Sequence, residues 1–361
     1  MAPVVVVVGS GGVGKTTLAA ALGLSSAQEG KDTLVMTFDP SLRLKDALGV
    51  EETAGDTEIE VPCDSPGRLL ASLLDARQTF DRLVSRYAPD AVSRRRILEN
   101  RYYQHLAGSL AGILEYMAVE RLFEVTRSGS YDQIILDTPP TRQALDFLEA
   151  PARIVGFLDS GALKLALKSW FDDAGHLRPT RHLGRIGRRF ESYLDEVVGL
   201  DLLRDMVEFF QAFGPLFDGF KERAKEVEAL LSSGSTLFTL IAGPGEEKIP
   251  DTLFFARRLQ EAGYRLGPVM VNRMHPPPPD LDTPLELPGD GSADGHHLLA
   301  WLGRRDALGL ERLQKLMHDE QPVVGIPLLP TEPSNLDALR ELGSLFEARL
   351  AEANGPIAAL R

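Results

Sequence analysis

The chain has 361 residues, 43% of them hydrophobic and 25% charged, with a formal net charge of −13. That length allows two domains, or one large α/β domain with an insertion, and the composition supplies an ordinary globular core. The acidic balance argues against a nucleic acid as main partner, and the single cysteine, Cys63, excludes an intramolecular disulfide and any metal site built from cysteines of one chain.

In chain order, Val4–Val8 comes first, a continuous β-branched run. It reads as a strand buried on both faces of a parallel sheet. It is too short for the apolar core of a signal peptide, and no basic residue precedes it. Nor does any apolar run approach the roughly 18 residues of a membrane span. A soluble, cytoplasmic protein without a transmembrane segment is expected.

The next segment is Gly9-Ser10-Gly11-Gly12-Val13-Gly14-Lys15-Thr16-Thr17. It follows a strand, opens an Ala/Leu-rich helical stretch running to Glu29, and fits G-x-x-x-x-G-K-[ST]. The chemistry requires these residue types. Glycines let backbone N–H groups face phosphate oxygens, and the helix N-terminus adds positive potential. Lys15 can reach the β- and γ-phosphates, Thr16 offers a hydroxyl to Mg²⁺, and Thr17 can hold the α-phosphate. ATP and Mg²⁺ are the expected ligands.

Thr33–Thr37 reads as a second strand, with Asp39 just beyond it and ahead of Pro40. Asp39 is placed to orient an attacking water, or serves only as a turn residue. Leu69, Leu73, Phe80 and Val84 fall on one helical face, as do Leu106, Leu110, Ile113 and Met117. The arginine-rich stretch Arg94–Arg101 reads as the solvated side of a helix. Gln133–Leu136 is a third strand and closes on Asp137, ahead of Thr138-Pro139-Pro140-Thr141. An acid at that strand end suits a hydrated metal, and a simple capping aspartate is the alternative.

Residues 151–233 contain no convincing strand and read as helices, among them Ala162–Trp170, Phe190–Val198 and Leu202–Leu231. Met206, Phe209, Phe210, Phe213, Phe217 and Phe220 recur at helical spacing there. That stripe is either a local core or the lining of a groove for an apolar protein or lipid client. Thr236–Ile241 and Val269–Val271 are further strands, and His275–His297 is a Pro-, Gly- and Asp-rich loop. Strands alternating with helices imply an α/β fold with a doubly wound, mostly parallel sheet. The expected layout is a P-loop domain over 1–150 and 234–361, an inserted helical subdomain over 151–233, and a mobile loop over 275–297.

These motifs resemble the ArsA-type ATPases, in the superfamily with a modified phosphate loop that also holds MinD, ParA and the nitrogenase iron protein. The family pattern is G-K-G-G-V-G-K-T-T, a switch I of T-D-P, and D-T-x-P-T at switch II. Here stand Gly9 to Thr17, Phe38-Asp39-Pro40-Ser41 and Asp137-Thr138-Pro139-Pro140-Thr141. Val271-Asn272-Arg273 and the stretch Ile326 to Glu332 are similar to the family's adenine-binding segments. By that resemblance Asn272 reads the adenine edge, and the segment from Pro327 and Leu328 wraps the base. The stretches around Tyr87-Ala88-Pro89-Asp90 and Glu115 to Arg121 are similar to the ArsA-like ATPases of actinobacteria and myxobacteria. Those often occur as paired paralogous subunits. The resemblance therefore implies a nucleotide-driven dimer, homomeric or heteromeric.

Departures from the pattern are specific. Ser10 stands where the family has the lysine that crosses the dimer to the partner's nucleotide, so weak hydrolysis is expected. With one cysteine, neither the arsenite-binding cysteines nor the zinc-binding C-x-x-C of the tail-anchored-protein ATPase is present. A nucleotide-binding regulatory subunit with little hydrolysis of its own remains open. So does a MinD- or ParA-like positioning ATPase, although the tail Asp337–Arg361 lacks a basic membrane-binding face.

Overall fold

A computed structural model describes residues 3–38, 43–50, 57–100, 113–138, 148–153, 155–156, 216–278, 295–317 and 321–353. The strands are β1 (Val4–Gly9), β2 (Thr33–Thr37), β3 (Ile59–Glu60), β4 (Leu69–Leu73), β5 (Gln133–Asp137), β6 (Thr236–Ala242), β7 (Leu266–Met274) and β8 (Val323–Pro327). The helices are α1 (Lys15–Gln28), α2 (Arg43–Leu48), α3 (Ala76–Tyr87), α4 (Ala91–Leu98), α5 (Ile113–Ser128), α6 (Phe217–Leu231), α7 (Ile249–Glu261), α8 (Gly295–Leu316) and α9 (Leu336–Glu352). All eight strands form one sheet in the order β3-β4-β2-β5-β1-β6-β7-β8. Every pairing is parallel except β3 with β4. The fold is thus α/β with a mostly parallel sheet flanked by helices, as the alternation of elements implied.

The continuous valine run of β1 is explained by its central place. Val4 to Val8 are all at most 2% exposed, because β5 and β6 flank them and helices cover both faces. On one face α1 packs by Leu18, Ala21 and Leu24 into a core that includes Val35 and Ile135 of the sheet and Leu339, Leu342 and Phe346 of α9. At the opening of β2, Asp32 accepts hydrogen bonds from the Arg68 guanidinium at 2.7 and 3.1 Å and from the Arg68 backbone N–H at 3.0 Å. The guanidinium holds this carboxyl below its ordinary range, and the contacts tie the start of β2 to the start of β4.

One helical assignment is corrected. Leu69 to Leu73 form β4, parallel to β2 in the register Thr33↔Leu69 to Thr37↔Leu73. Only Phe80 and Val84 lie on a helix, which Asp75 starts by accepting from the N–H groups of Arg77 and Gln78. A separation of four residues is even, so Leu69 and Leu73 share a face in a strand as well as in a helix. Periodicity over so short a run does not separate the two. β3, β4 and β8 were not foreseen as strands. α8 begins at Gly295, inside the stretch expected as loop, while 279–294 lie outside the described residues.

The chain divides into two compact units. The first holds the sheet and comprises Met1–Leu74, Leu122–Leu145 and Ala229–Arg361. The second is built from the described parts of Asp75–Arg121 and Asp146–Glu228. Its core gathers Phe80, Val84, Ile97, Tyr116, Met117 and Phe220. Phe220 lies 6.1 Å from Phe80 and 6.2 Å from Tyr116 between ring centroids, so this member of the aromatic stripe is a core residue. Met206, Phe209, Phe210 and Phe213 lie outside the described residues.

Beneath that core runs a buried ion pair. Arg223 Nε donates to Glu120 Oε1 at 2.6 Å, with side chains 11% and 2% exposed. The Tyr116 hydroxyl donates to Glu120 Oε2 at 3.4 Å. Burial, reinforced by the neighbouring Glu120 charge, pushes the Tyr116 phenol well above the ordinary tyrosine range. Removing one partner strands a buried charge. Arg223→Leu is expected to cost about 3–5 kcal/mol of stability, while the double change Glu120→Leu, Arg223→Leu recovers most of it. Urea denaturation followed by circular dichroism checks this, and an unchanged midpoint for the single variant would contradict it.

Candidate functional site

Ligands in open α/β sheets bind beyond the carboxyl ends of the strands, where strand order reverses. Here that point is the end of β1, whose neighbours β5 and β6 lead to opposite halves of the sheet. The loop Ser10 to Gly14 leaves from it. Gly9 has φ +154°, and a Cβ there would overlap the Ile241 carbonyl. Gly14, with φ +92°, precedes the first residue of α1, and a Cβ would come within 2.5 Å of Asn272 Nδ2. Glycine at these positions lets the backbone lie against β6 and β7.

Sheet register assembles the acidic end of the site. Asp137 sits opposite Val7 of β1 and opposite Thr37 of β2. Its Oδ2 accepts from the Thr16 hydroxyl at 2.7 Å and from the Thr37 hydroxyl at 2.9 Å. The carboxylate is 1% exposed, so it is fixed by these bonds rather than by solvent. Thr138 follows and donates to the Val7 carbonyl through both its backbone N–H, at 3.2 Å, and its hydroxyl, at 2.8 Å. Lys15 is 7% exposed, and its Nζ donates to the Ser10 carbonyl at 3.0 Å. The ammonium thus spans the mouth of the loop.

The other side of the cleft comes from β7 and β8. Asn272 Nδ2 donates to the Val13 carbonyl at 2.8 Å, and Arg273 Nη1 donates to the Gly12 carbonyl at 3.0 Å. A cavity of about 260 Å³ is lined by Gly14, Thr17, Asn272, Arg273, Pro327 and Leu328, among others. A second, of about 480 Å³, is lined by Gly11, Gly12, Lys15, Thr16, Asp46 and Thr138, among others. Arg273, Glu332 and Pro333 border both. Leu328 is 46% exposed, an apolar side chain held open beside the smaller cavity.

The structure therefore brings the residues from Gly9 to Thr17 together with Asp137, Asn272, Pro327 and Leu328. Asp39 lies outside the described residues. Sequence reasoning missed Thr37 and Asp46, and it placed Arg273 and Glu332 in motifs without a role of their own. Nothing local marks Thr37, which joins the site only through the register of β2 with β5. The donor set suits a hard divalent cation: a hydroxyl and a carboxylate within 2.7 Å of each other at the phosphate end. Magnesium is commonly held by one or two protein oxygens together with substrate phosphates and water.

The chain is similar in sequence to several known proteins. The profile of a family described as anion-transporting ATPase matches residues 2–169. An uncharacterized protein of Streptomyces coelicolor, SCO2128, is 27% identical over 92% of this chain and 76% of its own length. A putative arsenical pump-driving ATPase 1 of Aquifex aeolicus is 25% identical over 74% of this chain and 62% of its own length. ATPase GET3A of Arabidopsis thaliana is 23% identical over 94% of this chain and 82% of its own length. No described helix is long and apolar enough to cross a membrane. This chain is an ATP-binding P-loop ATPase related to the ArsA and Get3 ATPases.

Proposed function

We propose that the chain is a dimeric, slowly hydrolysing ATPase that works as a nucleotide-driven conformational switch and does not depend on arsenite. The observation that carries the reading is the 2.7 Å bond between Thr16 on the phosphate loop and Asp137 on β5. It joins the loop to the strand end from which residues 138–141 depart. Thr16 and Asp137 would hold Mg²⁺, which neutralises charge on the β- and γ-phosphates when bound. The backbone N–H groups of Gly11 to Gly14 and the Lys15 ammonium bind and orient the triphosphate. Thr17 holds the α-phosphate, and Asp39 orients the water that attacks the γ-phosphorus. Asn272, Pro327 and Leu328 receive the adenine.

Catalysis in such sites is mostly positioning and electrostatic stabilisation. Ser10 adds no charge to the loop, which supports slow turnover by this chain alone. It equally supports a second reading, a regulatory subunit that binds nucleotide beside a paralogous, more active partner. Residues 151–233, which the sequence pattern reads as helices, are the proposed subdomain that senses the switch, with an apolar protein or lipid segment as client. Cytoplasmic location follows from the same reading.

Phosphate release and native mass, measured for this chain alone and with a paralogous subunit, test the proposal. Ser10→Lys is expected to raise turnover of the isolated chain about tenfold or more, since one well-placed cation is worth on the order of 10³-fold in related phosphoryl transfer. Fast turnover by the unmodified chain as a monomer, with no gain in the lysine variant, would sink the slow dimeric switch.

A further inference from the structure

Arg273 stands inside β7, between the paired residues Val271 and Met274. Its φ is 64°, and it is the only non-glycine residue with positive φ among those described. The register between β7 and β8 shifts between Val271 and Met274, so the strand is irregular at this point. L side chains rarely adopt such a conformation, and it persists where the surroundings over-determine it. Two contacts hold the guanidinium. Nη1 donates to the Gly12 carbonyl at 3.0 Å, and Nη2 lies 3.7 Å from Glu332 Oε1.

The charge pattern around it is informative. Among the described residues, the cations lining the two cavities are Lys15 and Arg273, and the acids are Asp46 and Glu332. These charges cancel, yet the expected ligand is a strongly anionic triphosphate. Glu332 is the group that can yield. Its side chain is 79% exposed and that of Arg273 48%, so the pair is loose and solvated. A guanidinium presents several N–H donors in one plane, so it can keep Gly12 on one edge and offer another to a phosphate.

We propose that Arg273 is a phosphate-binding residue supplied by this chain to its own cleft, with Glu332 as a counter-ion that gives way to the triphosphate. The proposal rests on the ATP-binding reading above and deepens it. Arg273 contributes the second cation at a loop whose Ser10 carries none. Glu332 competes with the nucleotide for it, and so screens the cleft against weaker anions.

The test is a titration with fluorescent ATP, ADP and AMP analogues in the presence of Mg²⁺. It compares the parent chain with Arg273→Ala, Arg273→Lys and Glu332→Gln, and each variant's melting temperature is recorded without nucleotide. Alanine keeps the Cβ, hence the same backbone penalty, and removes only the guanidinium. Arg273→Ala should weaken ATP roughly 10- to 100-fold, ADP less and AMP least. Lysine should restore part of the loss, and Glu332→Gln should tighten ATP with no change in melting temperature. Equal loss for all three nucleotides would overturn the proposal, because it would mark a purely structural residue. So would a lowered melting temperature in Arg273→Ala with unchanged ATP affinity. A parent chain that binds no ATP would instead bring down the reading beneath it.

Discussion

Lys15→Ala is expected to abolish tight Mg·ATP binding. The ammonium is almost fully buried and held to the Ser10 carbonyl at 3.0 Å, so its charge acts at the loop with little solvent screening. Removing a charge-assisted contact of this kind costs about 3 kcal/mol, roughly a hundredfold in affinity. Alanine is a good helix former at the first position of α1, so the fold should survive with its melting temperature changed by a few degrees at most. Calorimetric titration with Mg·ATP measures the effect. Parent-like affinity in a folded Lys15→Ala chain would place the nucleotide elsewhere.

Asp137→Asn is expected to separate the metal from the nucleotide. The amide matches the carboxylate in shape and can still accept from Thr16 and Thr37, so the junction of β5, β2 and the loop is kept. What is lost is the negative charge that favours a divalent cation. ATP binding by the parent should be much stronger with Mg²⁺ than with a chelator, and that difference should vanish in the variant. Turnover should fall on the order of 10²-fold or more, the scale of losing a principal electrostatic stabiliser. The ratio of ATP affinities with and without Mg²⁺ is the direct readout. A variant that keeps the parent's ratio would make Asp137 a structural residue only.

Much of the candidate site was legible in the residues themselves. The stretch Gly9 to Thr17 has local constraints at each position: φ above zero at Gly9, Gly12 and Gly14, and a lysine and hydroxyl at fixed offsets. β1, β2, β5, β6 and β7 were legible because strands buried on both faces need unbroken apolar runs. β4 was not, because Leu69 and Leu73 satisfy both periods at a spacing of four. β8 was hidden within Val323–Pro327, a short strand containing glycine and ending in proline, where local propensity is weak.

By itself, then, the sequence marked the candidate groups of the cleft: a glycine loop, Lys15 and Thr16 at fixed offsets within it, and Asp137 at the end of an apolar strand. Those choices are local, set by backbone geometry over a few consecutive residues. Only the tertiary structure decided which distant groups meet that loop. Thr37 reaches Asp137 because β2 and β5 pair in one particular register, and a slip of one residue would turn that side chain to the other face. Arg273 reaches Gly12, 261 positions earlier in the chain, from an irregularity within β7 between Val271 and Met274, where its φ is positive. Register and chain reversal are settled by packing of the whole sheet, so no window of neighbouring residues contains them.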